Sequence, residues 1–141
     1  LRPTEDPFTE EGTPQALPER FAAKVLVAED DEINRMVVRR FLEDFGCKVE
    51  CVENGRLAVE AMAKGDYDLL LMDLHMPQLD GISATREIRQ NDTQIPIVAL
   101  TADAMSSERD AALAAGMDDF LVKPLQQEML QQILGRFCTA A

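Results

Sequence analysis

Four apolar runs of this chain end on residues that together could handle a phosphoryl group. "KVLVA" (Lys24 to Ala28) leads into Glu29, Asp30 and Asp31, and "LLLM" (Leu69 to Met72) leads into Asp73. "IVAL" (Ile97 to Leu100) leads into Thr101, and "FLV" (Phe120 to Val122) into Lys123. A carboxylate at the tip of a buried strand is costly unless opposite charge meets it. Several carboxylates converging on one crevice cannot all stay ionised without a counter-ion. A hard divalent cation, Mg2+ above all, answers that need with oxygen ligands and retained waters. In such a site Asp73 would be the nucleophile toward phosphorus, Lys123 and the cation would neutralise the phosphoryl oxygens, and Thr101 would donate a hydrogen bond.

Taken singly, each residue has an ordinary reading. Acids after a strand serve as charges at a helix N-terminus, a threonine there caps or turns the chain, and a lysine is most often a solvated surface charge. Their recurrence at successive strand ends on one sheet edge outweighs those readings.

The elements that would position them follow from periodicity. Between the apolar runs lie helical patterns: Ile33, Met36, Val37 and Phe41 up to Gly46; Leu57, Ala58, Ala61 and Met62 after a capping Asn54; Ile82 to Gln90; Ser107 to Ala115; and the stripe Leu130, Ile133, Leu134, Phe137. "KVECV" (Lys48 to Val52) alternates like a half-buried edge strand. Five strands alternating with five helices predict an α/β fold, a doubly wound parallel sheet of flavodoxin-like order 2-1-3-4-5. In that order the first and third strands flank the switch point, the place where ligands bind beyond the carboxyl ends.

Composition narrows the function classes. The 141 residues are 46% hydrophobic, enough for one domain with an appendage. Fourteen basic residues against 26 acidic give a net charge of −12, which argues against nucleic acid as a direct partner. No apolar run approaches the ~20 residues that span a bilayer, and the first residues lack the order of a signal peptide. A soluble, cytoplasmic segment without membrane contact is the expectation. Cys47 and Cys51 would stand ~13 Å apart on a strand, too far to bridge, so the cysteines read as free thiols. The single His75 leaves no zinc-type ligand spacing. Residues 1–23, with four of the seven prolines, read as a disordered or linker segment, residues 24–138 as the domain and 139–141 as a C-terminal tail. Beginning on Leu1, the chain reads as cut from something longer, and with no effector segment after the last helix its output is expected to pass through a partner.

The motifs in their order, "LVAEDDEINR", "MDLHMPQLDG", "ALTADAM" and "LVKPL", resemble those of a response-regulator receiver domain of two-component signalling. The resemblance covers residues 24 to about 138, and the wording "MPQLDGISATREIR" and "AAGMDDFLVKPL" is most similar to receivers of hybrid sensor histidine kinases. It implies Asp73 as phosphoacceptor, and Thr101 and Lys123 as its catalytic partners. It further implies Mg2+ held by Asp30 directly, by Glu29 mostly through water, by Asp73 and by the backbone carbonyl of His75. Thr101 and Phe120 would be the conformational switch. Asp31 stands where many relatives carry asparagine. The Lys123–Pro124 bond is expected to be cis, both from the resemblance and because Lys123 must aim into the crevice while the chain reverses at once. Implied partners are a histidine kinase or histidine phosphotransfer domain as donor and a downstream protein as recipient of the signal. The domain would catalyse its own phosphorylation and dephosphorylation without being a conventional turnover enzyme.

Three other readings are weaker. An aspartate-nucleophile phosphatase needs a second acid two residues after the nucleophile, where His75 stands. A nucleotide or flavin module needs glycines in the first loop, and "AEDDEIN" has none. A receiver-like binding module that is not phosphorylated would not need all of these residues.

Overall fold

The computed structural model describes residues 20–92, 94–103 and 107–140. Its elements in chain order are β1 (Phe21–Ala22), β2 (Lys24–Ala28), α1 (Glu32–Asp44), β3 (Lys48–Val52), α2 (Gly55–Lys64), β4 (Leu69–Asp73), α3 (Gly81–Arg89), β5 (Ile97–Thr101), α4 (Ser107–Ala115), β6 (Asp119–Val122), α5 (Gln127–Phe137) and β7 (Thr139–Ala140). Five strands form one parallel sheet in the order β3-β2-β4-β5-β6, as expected from the alternation of strand and helix patterns.

Period-two alternation divides the core between the two faces of the sheet. Val25, Val27, Leu69, Leu71, Val98, Leu100 and Leu121 face α1 and α5, where they meet Val38, Leu42, Leu130 and Leu134. Leu26, Leu70, Met72, Ile97 and Ala99 face the opposite way, toward Ala58, Ala84, Ile88 and Ala112 of α2, α3 and α4. The central strands β4 and β5 are buried throughout, while β3 at the edge is only partly buried. Side chains cap the first three helices: Asp31 accepts from the Asn34 N–H, Asn54 from Leu57 and Asp80 from Ser83.

Register then brings the strand tips level. Ala28 pairs with Met72, Asp73 with Leu100, and Thr101 with Val122. Glu29, Asp73, Thr101 and Lys123 therefore leave the sheet along one edge.

At the opposite end the packed unit exceeds the boundaries read from sequence. β1 and β7 pair antiparallel, Phe21 with Ala140 and Ala22 with Thr139. Phe21, placed in the linker by its proline-rich surroundings, is 1% exposed and sets its ring edge-on to Phe45, 6.1 Å between centroids. Its N–H donates to the Phe45 carbonyl at 2.8 Å. A two-residue ladder is too short to show in sequence periodicity, which is why the segment read as unstructured. Residues 1–19 and 141, the remainder of the expected linker and tail, lie outside the described residues. The three cysteines are free.

Candidate functional site

The site is built on β2, β4 and the start of the β6–α5 connection. Burial of Met72 and its neighbours fixes β4, so Asp73 emerges at the strand end only 4% exposed. Glu29 is buried still more deeply, at 1%, while Asp30 and Asp31 are exposed. Carboxylate oxygens of Glu29, Asp30 and Asp73 lie within 4.8 Å of one another. Lys123 Nζ sits between the two buried acids, 2.9 Å from Glu29 Oε1 and 2.9 Å from Asp73 Oδ2. The expected convergence is thus present, and the ammonium of Lys123 is the counter-charge within it. The Lys123–Pro124 bond is cis.

Electrostatics differ sharply between the two buried acids. Burial first, and then a hydrogen bond shared with Asp73, push the Glu29 carboxyl up to about 7. Burial pushes Asp73 the same way, but the bonds from Glu29 and Lys123, the His75 N–H and the charge of Lys123 outweigh it. They leave Asp73 below its ordinary value. Burial likewise opposes the charge on Lys123, and its bonds to Glu29 and Asp73 overcome that and raise its pKa. Burial thus favours the neutral form of Glu29, while the groups around Asp73 favour its charged form.

A hard cation fits this donor set. All three acids offer oxygen, and Glu29 Oε1, paired with Lys123 Nζ at 2.9 Å, is buried with its hydrogen-bonding capacity incompletely satisfied. Glu29 Oε2 accepts a long bond, 3.3 Å, from the Asp31 N–H.

The other expected residues divide between site and support. Thr101 lies at the edge, 4% exposed, its hydroxyl engaged with the Asp103 backbone at 3.1 and 3.2 Å. His75 donates its backbone N–H to Asp73 Oδ1 at 3.1 Å, whereas its imidazole points out to Glu108 Oε2 at 2.7 Å. Phe120 is half-buried with the Arg109 guanidinium stacked 4.8 Å from its ring centre. Asp31 caps α1. Arg35 was not singled out in the sequence, yet its Nη1 donates to the carbonyls of Glu29 and Asp30 at 2.8 and 3.0 Å and so fixes the acidic loop. Its place one helical turn after the acids was the available signal.

Residues 25–135 match the response regulator receiver domain. The chain belongs to that family. Among its relatives, sensor protein GacS of Pseudomonas syringae pv. syringae is 43% identical over 118 residues, which are 80% of this chain and 13% of GacS. A two-component response regulator of Oryza sativa subsp. japonica is 46% identical over 122 residues, 84% of this chain and 96% of that protein. This receiver therefore spans a small fraction of the sensor kinase and almost the whole of the rice regulator. Among solved structures, the receiver domain of a sensor histidine kinase from Pseudomonas aeruginosa PAO1 superposes with TM-score 0.78 at 42% identity, over 82% of this chain and 97% of that one. That structure has a magnesium ion coordinated in its active site cleft. The receiver of the Saccharomyces cerevisiae response regulator Ssk1, in complex with the histidine phosphotransfer protein Ypd1, gives 0.76 at 30% identity over 87% and 91%. Among the described residues no helix is long and apolar enough to cross a membrane.

Proposed function

We propose that this receiver takes a phosphoryl group onto Asp73 from a partner's phosphohistidine in a Mg2+-dependent reaction, and that the resulting acyl phosphate shifts its conformation. The observation that carries the reading is the pairing of a buried Asp73 with Lys123 at 2.9 Å beside an incompletely satisfied Glu29. An Asp73 carboxylate oxygen attacks phosphorus, the bond from phosphorus to the imidazole nitrogen breaks, and the electron pair leaves with the imidazole. Lys123 then has new phosphoryl oxygens within its reach. The His75 N–H keeps Asp73 oriented by holding Oδ1. Thr101 turns its hydroxyl from Asp103 toward the new group, and Phe120 follows it as the second part of the switch. Glu29, Asp30, Asp73 and the His75 carbonyl would hold Mg2+, which when bound supplies positive charge against the transferring oxygens.

A protein donor, a histidine kinase or histidine phosphotransfer domain, suits the surface around the crevice. Ile33 and Met36 on α1 are 71% and 63% exposed, and Asn34 and Val37 of the same helix line a cavity of about 80 Å³ with Glu29 and Lys123. The altered conformation would be read by a downstream protein.

Incubation with Mg2+ and acetyl phosphate should add one phosphoryl group, about 80 Da by mass spectrometry. Asp73→Asn should stay folded and add none. An equal adduct on the variant would reject Asp73 as acceptor.

A further inference from the structure

We propose that Gly55, the first residue of α2, is a positioning residue of the accepting site, fixing the loop between β4 and α3 through the Leu79 carbonyl. The inference rests on the function just proposed for Asp73.

That loop, residues 74–80, carries His75, whose N–H orients Asp73. Its far end is seated on α2. The Gly55 N–H donates to the Leu79 carbonyl at 3.0 Å, and Gly55 is buried. A Cβ on Gly55 would stand 2.0 Å from the Leu79 oxygen and 2.8 Å from its carbonyl carbon. Both atoms belong to the backbone, so no rotamer change relieves the clash. Nor does backbone conformation demand glycine here, since the positive-φ glycines are Gly46 and Gly116. The requirement at Gly55 is close approach alone.

The other end of the loop is seated in the same manner. A Cβ on Gly81 would lie 2.1 Å from the Asp73 carbonyl oxygen, and the Gly81 N–H donates to the Leu74 carbonyl at 3.1 Å. Between these seats the chain has little slack. Gln78 holds φ at +71°, rare for a residue with a side chain, and the Leu79 N–H turns back onto the Pro77 carbonyl at 2.7 Å. Pushing Leu79 away by about 1 Å is therefore passed along to His75 and Asp73, and displacements of that size cost reactions about 100-fold.

The test compares Gly55→Ala with Gly65→Ala in the full chain. Gly65 lies at the other end of α2, where the atoms nearest to an added Cβ belong to the Tyr67 side chain rather than to backbone. Gly55→Ala should move the backbone amide resonances of residues 73–81, weaken Mg2+ binding about 10- to 100-fold, and lower the rate of acetyl phosphate uptake by a similar factor. Gly65→Ala should keep wild-type Mg2+ affinity and rate even where its melting point falls. A folded Gly55→Ala with wild-type Mg2+ affinity and an unmoved His75 amide would overturn the proposal. If Gly55→Ala does not fold, amide exchange in the unmutated protein decides: Mg2+ that slows the His75 amide should slow the Gly55 amide equally, and an indifferent Gly55 amide would overturn it. Failure of the wild-type chain to take up phosphoryl at all would count against the Asp73 reading instead, and the amide shifts of Gly55→Ala, recorded without Mg2+, would still judge the link to the loop.

Discussion

At the amino ends of the strands, Phe21 packs edge-on to Phe45 within the core cluster that includes side chains of α1 and α5, and its strand pairs with β7. At the carboxyl ends, two buried acids share one lysine, and one buried oxygen is incompletely satisfied. The first arrangement stabilises through apolar burial and asks for nothing further. The second is held in place by the rest of the fold and relieves its repulsion only by protonation, by Lys123 or by a bound cation. A single sheet thus separates what keeps the domain folded from what makes it reactive.

Phe21→Ala should break that separation least and cost most. Loss of a buried phenyl ring costs about 3–5 kcal/mol, measurable by urea unfolding. The variant that remains folded should take up phosphoryl at the wild-type rate, and a large fall in that rate would show that the two ends are coupled.

Next in size is the response of the metal-free protein to pH. Glu29 is raised from 4.5 to about 7, so the folded state holds its proton more tightly than the unfolded chain. Its contribution is complete below 4.5 and is lost as pH rises through about 7, at up to about 1.4 kcal/mol per pH unit. Asp73, lowered from 3.8, acts with the opposite sign, and only as pH falls below its ordinary value. Unfolding in EDTA should accordingly show stability falling from pH 5 to 7, and Glu29→Gln should flatten the slope. Parallel slopes for the two proteins would place the proton elsewhere.

Mg2+ sharpens the contrast further. At 100 times its dissociation constant it should stabilise the native state by about 2.7 kcal/mol, seen as a higher melting temperature, and Asp30→Ala should lose that gain. Asp31→Ala gives the smallest effect, about 1 kcal/mol from loss of the α1 cap, with the Mg2+ response retained. A lost response in Asp31→Ala would make it a ligand.

Much of the reactive end was legible in sequence because its residues follow strands of strong apolar character, and parallel pairing carries such positions to one edge. Asn54 and the edge character of β3 could be read from capping and alternation. What escaped depends on approach through space. Nothing near Phe21 announces that it belongs to the core, and nothing near Gly55 announces the Leu79 carbonyl lying against it. His75 was expected to contribute through its backbone, yet its imidazole's contact with Glu108 joins loop to helix across a separation that no spacing rule spans.

The pairing of Phe21 with Ala140 has a consequence for gene architecture. The incoming and outgoing segments run side by side through one doorway, at the end of the sheet away from the acids. A unit attached by such a stalk can be spliced into a surface loop of an unrelated protein, or have its segment order permuted by joining the old termini, without the new connection crossing the crevice. Recombination can then redeploy the domain while leaving its chemistry untouched.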